Sequence, residues 1–237
     1  MYHSKIFVPL LCLVLFIAGA ASSYAAAVEK ESDDSSAASA QPSITARSAV
    51  LIDADSGTVL FENNADEKLP PASVTKVMTM LLIMEAVDSG KISLDDKVTI
   101  SERSASMGGS QLYMEPGETH TVSELLTGIS MVSANDACVA MAEYICGTDD
   151  IFVEKMNEKA KELGLENTHF ANTNGLPADD HYSSARDIAV MSKELLSHEG
   201  ILSYLSSESG TIEVGKEGHT STIEMINTNK LLKTYNG

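Results

Sequence analysis

The sequence predicts an α+β fold with antiparallel strands, on three observations. Two β-rich runs near the start of the folded region flank a turn cluster, four long helical runs follow, and a weakly alternating pair of runs comes near the end. Strands, then helices, then strands do not give the alternation that a parallel βαβ sheet requires.

Taken in order, Lys5, the apolar run 6–18, Gly19 and the small residues ending in Ser23-Tyr24-Ala25 read as a secretory signal covering 1–25. Ala25-Ala26-Ala27 offers a second cleavage point. An uncleaved membrane anchor is the alternative, but the run is shorter than the roughly 20 residues that span a bilayer. Cys12 follows Leu11 rather than a small residue, which marks it as a packing residue and not a lipid attachment site. Residues 26–45 are too polar to collapse and read as a disordered linker, leaving 46–237 as the folded domain.

Within that domain, strands are expected at 48–52 and 58–61, separated by Asp53-Ala54-Asp55-Ser56-Gly57. Pro70 and Pro71 end the extended stretch. Residues 73–87 then run without Gly or Pro through Met78, Leu81, Leu82 and Met84 to Ser89-Gly90, the pattern of a buried helix. Further helices are expected at 122–145, 151–163 and 184–196, and a short strand at 97–101. A second hairpin is expected from 211–214 and 222–225 around Lys216-Glu217-Gly218. Cys138 and Cys146 fall in one predicted helix, about 12 Å apart at 1.5 Å per residue, too far to be bridged by a disulfide.

The formal net charge is -18. A nucleic-acid reader needs a basic surface to displace counterions, so nucleic acid is excluded as a partner.

Two short patterns carry chemistry. Ser73-Val74-Thr75-Lys76 sets a hydroxyl and an amine three residues apart at a helix start, where both fall on one face. A serine hydroxyl becomes a useful nucleophile when a base takes its proton, and burial can lower a lysine far enough to be that base. The positive end of the helix dipole also opposes protonation of the amine. Alone the pattern is common, and its bland alternative is an N-capping Ser73 beside a solvated Lys76. Ser133-Ala134-Asn135 interrupts an apolar helical run with two polar side chains. Either they bond locally to backbone and break the helix, or the hydroxyl shuttles a proton to and from Lys76 while the amide binds a substrate peptide group.

Pro-Ala-Ser-Val-Thr-Lys at 71–76 followed by Ser-Ala-Asn at 133–135 resembles the D-alanyl-D-alanine carboxypeptidases, the low-molecular-mass penicillin-binding proteins. The likeness extends in order through 49–61, Asn172-Thr173-Asn174-Gly175-Leu176-Pro177, His181-Tyr182-Ser183-Ser184-Ala185-Arg186-Asp187 and Asn227-Thr228-Asn229-Lys230-Leu231-Leu232. It implies a β-lactamase/transpeptidase-like domain, an antiparallel sheet plus a helical subdomain. It also implies Ser73 as nucleophile, Lys76 as base, Ser133 as proton relay and Asn135 as substrate holder. The implied substrate is a peptidoglycan stem peptide, β-lactam antibiotics are the implied covalent inhibitors, and neither cofactor nor metal is implied. Action is expected outside the cytoplasmic membrane, with a C-terminal anchor of the family's kind beyond the residues given.

The family's third motif, Lys-Thr-Gly on a strand lining the site, has only a partial look-alike in Lys233-Thr234-Tyr235. The expectation is that the C-terminal strands are missing. With them go a cationic contact for the substrate carboxylate and one oxyanion donor, whose loss costs roughly 2.7 to 4 kcal/mol in acyl-transfer sites. The 237-residue chain is therefore expected to be nearly inactive by itself. Met107-Gly108-Gly109-Ser110 reads as a loop bordering the groove, with Gly109 and Ser110 touching substrate, or as a flexible turn. His181 reads as a neighbour of the site or as a surface or packing residue. Two rival functions stand beside the main one. A class A β-lactamase would need an E-x-x-L-N pattern, which is absent, and would carry Asp where Ala134 stands. A non-catalytic wall-associated or penicillin-binding protein would end naturally where this chain ends.

Overall fold

Asp53 turns the chain back on itself: its Oδ1 accepts from the Ser56 amide at 2.7 Å and the Ser56 hydroxyl at 2.6 Å. That side-chain turn joins β1 (Ala49–Ile52) to β2 (Val59–Asn63), which pair antiparallel from Ala49↔Asn63 to Ile52↔Val59 with a slip after Leu51. The structure is a computed structural model that describes residues 44–216 and 218–235. The signal at 1–25 and nearly all of the linker at 26–45 lie outside the described residues.

After a 3-10 turn (Ala72–Thr75), α1 (Lys76–Asp88) runs through the centre of the domain. It buries Met78, Leu81 and Ile83 completely, and Met84 nearly so. A helix apolar on most sides is stable only when enclosed, and each such side chain contributes about 1.5–3 kcal/mol by leaving water. The enclosure comes from α3 (Val122–Val132), α4 (Asn135–Cys146), α5 (Asp149–Glu162) and α6 (Ala185–Ser197). Three of these starts are capped by side chains: Thr121 with Glu124 for α3, Thr148 for α5 and Ser184 for α6.

The smaller elements are β3 (Lys97–Thr99), α2 (Glu102–Ala105) and β4 (Thr119–Thr121), with β3 pairing β4. Then come α7 (Ile201–Leu205), the hairpin of β5 (Ser209–Val214) and β6 (Ser221–Ile226), and the short α8 (Leu231–Thr234). The described strands form three two-stranded antiparallel sheets. Lys233 and Thr234 lie in α8, so the partial look-alike of the third motif is helical here.

The single helix expected at 122–145 is two. Ser133 adopts φ 60° and ψ 40°, a left-handed cap that ends α3, and α4 begins afresh at Asn135. Apolar periodicity resumes beyond the break because both helices face the same core, so the interruption by Ser133-Ala134-Asn135, read as a possible helix break, is the local signal of it. Cys138 and Cys146 both lie on α4 and are free thiols, as the spacing requires.

Candidate active site

Ser73 projects from the 3-10 turn with an exposed side chain, while Lys76 opens α1 and is only 3% exposed. Nζ of Lys76 donates to three oxygens: Asn174 carbonyl at 2.6 Å, Asn135 Oδ1 at 2.8 Å and Ser73 Oγ at 3.3 Å. Burial holds the amine below its usual 10.5, and the positive end of the α1 dipole acts in the same direction. The bland alternative therefore fails on both counts. Thr75, not Ser73, caps α1, without a side-chain bond, and Lys76 is not solvated.

The α3–α4 break supplies the second group. At Ser133 the chain turns left-handed, and its hydroxyl oxygen is buried with no hydrogen-bond partner among the described residues. A buried unpaired hydroxyl costs about 1–3 kcal/mol, so the position calls for an explanation other than stability. Two residues on, Asn135 uses its whole side chain: Oδ1 takes Lys76, and Nδ2 donates to the Gly108 carbonyl at 2.7 Å.

The 107–112 loop is carried on the start of α4. The Asn135 amide donates to the Ser110 carbonyl at 2.7 Å, and both carboxylate oxygens of the fully buried Asp136 accept from the Leu112 amide. Burial pushes the Asp136 carboxyl up, against the backbone N–H groups that favour its charge. Gly109 (φ 81°) abuts Asn135, where a Cβ would meet Nδ2 at 2.8 Å. Gly109 and Ser110 thus lie at Asn135, and both are exposed.

The 171–183 segment supplies two residues whose roles the sequence reading missed, Asn174 and Gly175, and one that it weighed, His181. Asn174 contributes a backbone carbonyl, which no side-chain pattern reveals. Gly175 (φ 88°) packs so tightly on the Ser73 turn that a Cβ there would sit 1.8 Å from the Ala72 oxygen. The Asn-Gly pair was the available signal. His181 is buried rather than superficial, with its ring 2.7 Å from Thr75 Oγ1 inside the Ser-x-x-Lys turn. Cys138, by contrast, is pushed up to about 12 by complete burial and is no thiolate at neutral pH.

The family model described as D-alanyl-D-alanine carboxypeptidase matches residues 35–237. Among curated relatives, the D-alanyl-D-alanine carboxypeptidase DacF of Bacillus subtilis is 55% identical over 193 residues, covering 81% of this chain and 49% of its own. The DacC carboxypeptidase of Escherichia coli is 40% identical over 201 residues, covering 82% and 48%. The crystal structure of the D-alanyl-D-alanine carboxypeptidase DacD from Francisella tularensis superposes with a TM-score of 0.77 at 29% identity, over 84% of this chain and 59% of that one. The chain spans about half the length of the two curated relatives.

Proposed function

The chain belongs to the D-alanyl-D-alanine carboxypeptidase family, and from that membership we propose that its full-length protein removes the terminal D-alanine from peptidoglycan stem peptides through an acyl-enzyme on Ser73. The observation that carries this reading is an exposed hydroxyl 3.3 Å from a buried, three-coordinated lysine amine. The three donations belong to the ammonium form, and once it has lost one proton the amine keeps two N–H bonds. Asn174 O and Asn135 Oδ1 are the shorter contacts and hold those two, which leaves the nitrogen lone pair directed at Ser73 Oγ.

Ser73 Oγ then attacks the carbonyl carbon between the two D-alanines while Lys76 takes its proton. The carbonyl π bond opens to an oxyanion, for which the Ser73 amide is one donor. As the tetrahedral intermediate collapses, the C–N bond breaks and the proton passes from Lys76 through the Ser133 hydroxyl to the leaving amine, releasing D-alanine. The otherwise unpaired state of Ser133 Oγ suits this transient use. Water then attacks the ester by the reverse proton route and frees Ser73. In the resting site Asn135 orients Lys76. To hold the substrate peptide, its Nδ2 must exchange the Gly108 carbonyl for a substrate carbonyl, and the exposed Gly109 and Ser110 then border the bound peptide. β-Lactams acylate the same hydroxyl because their strained amide mimics the D-Ala-D-Ala bond.

The same reading assigns residues 1–25 to an export signal, 26–45 to a linker and 46–237 to the catalytic domain, acting on the outer face of the cytoplasmic membrane. Release of D-alanine from a synthetic peptide ending in D-Ala-D-Ala tests the proposal: full-length protein releases it and Ser73→Ala does not. Equal release by the variant overturns it.

A further inference from the structure

The turn that presents Ser73 is strained. Ala72 adopts φ 47°, a left-handed conformation that costs a residue with a Cβ about 1–2 kcal/mol. Strain of this kind persists only where surrounding structure over-determines it. The surroundings here are one segment. Thr173 and Asn174 present their carbonyls to Thr79 Oγ1 and Lys76 Nζ, both at 2.6 Å. Gly175 packs against the Ala72 oxygen, and His181 reaches Thr75, one of the two residues between the hydroxyl and the amine in Ser73-Val74-Thr75-Lys76.

The His181 ring is fixed on three sides. The Ala171 amide donates to Nδ1 at 2.9 Å, so that nitrogen carries no proton. The ring proton is therefore on Nε2, which donates to Thr75 Oγ1 at 2.7 Å. Phe170 stands edge-on to the ring with centroids 6.0 Å apart. His181 and Thr75 are 6% and 1% exposed, so water offers neither a ready replacement partner.

We propose that His181, as its neutral Nε2–H tautomer, is a positioning residue for acylation: by donating to Thr75 it holds the strained turn at the Ser73–Lys76 spacing that proton transfer needs. It touches neither substrate nor the reacting atoms. The inference rests on the reading of Ser73 and Lys76 given above and adds a residue outside the two motifs.

Saturation kinetics of acylation of the full-length protein by a fluorescent penicillin separate the noncovalent dissociation constant from the acylation rate constant. His181→Ala lowers the rate constant about tenfold or more and leaves the dissociation constant within about threefold, since misplacement near 1 Å is enough to cost that much. His181→Gln, whose amide oxygen and NH2 can serve Ala171 and Thr75 in place of the two ring nitrogens, recovers most of the rate. Thr75→Val reproduces the His181→Ala loss, and the double variant is no slower than either single one. A merely structural histidine would lower the melting temperature while the folded protein kept its rate constant.

An unchanged rate constant in folded His181→Ala, or losses at 75 and 181 that multiply, overturns the inference. If His181→Ala does not fold, Thr75→Val reads the same bond, and a wild-type rate there overturns it equally. Ser73→Ala distinguishes the two levels of the argument. Persistent acylation of that variant defeats the nucleophile assignment, whereas acylation at Ser73 that is indifferent to His181 defeats only this inference.

Discussion

Replacing Gly175 by alanine plants a methyl group 1.8 Å from the Ala72 oxygen, 2.3 Å from the Ala72 carbonyl carbon and 2.9 Å from the Ser73 nitrogen. All three neighbours are backbone atoms that no rotamer change can clear. To bring the first contact even to 3.0 Å the two chain segments must part by about 1.2 Å. Alanine must also adopt φ 88°, where a Cβ costs about 1–2 kcal/mol. The displacement falls on both sides of the proposed chemistry, because Ala72 precedes the nucleophile and Asn174, whose carbonyl holds Lys76 at 2.6 Å, precedes Gly175. A misplacement near 1 Å in a reacting pair costs about a hundredfold in rate. The full-length Gly175→Ala protein should therefore acylate with a chromogenic β-lactam about a hundredfold more slowly than wild type, with a lower melting temperature. Wild-type rate and melting temperature together would refute the claim that this segment sets the geometry of the Ser73 turn.

Other outcomes follow from the same geometry. Burial holds Lys76 below 10.5, and the base must be unprotonated, so acylation should rise with pH with its midpoint below 10.5 and fall as pH drops through the folded-state value. A rate independent of pH contradicts a lysine base. Ser133→Ala removes a buried hydroxyl with no hydrogen-bond partner among the described residues, so stability should hold or rise by up to about 1–3 kcal/mol while acylation falls about a hundredfold or more. Loss of stability with rate retained would make Ser133 a structural residue. Asp136→Ala strands the Leu112 amide and exchanges a buried carboxylate for a cavity, for a loss of about 3 kcal/mol in urea unfolding. A change near zero would mean that the 107–112 loop is held by other bonds.

Much of this architecture is legible in the chain because local chemistry and global packing agree there. The Asp53–Gly57 turn, the unbroken apolar helix after Ser73 and the 209–226 hairpin declare themselves through turn residues and periodicity. The Ser133 break is only half declared: two polar side chains interrupt the apolar run there, but a left-handed cap needs no glycine and the apolar pattern resumes beyond it. β4 is equally quiet, because Thr119-His120-Thr121 is too short to show alternation, whereas its partner β3 falls inside the strand expected at 97–101. In the site, Ser73, Lys76 and Asn135 are found by their side chains, and the structure joins them through Lys76 Nζ. Asn174 acts through its carbonyl and His181 through a contact 106 residues away in sequence, and neither kind of contact is written into a local motif.

The most direct test of the account is the mass of the full-length protein after incubation with a penicillin, followed by peptide mapping. The account predicts a single adduct of one penicillin, located on Ser73 and lost in Ser73→Ala. An unmodified folded protein, or an adduct that maps elsewhere, contradicts the Ser73–Lys76 mechanism.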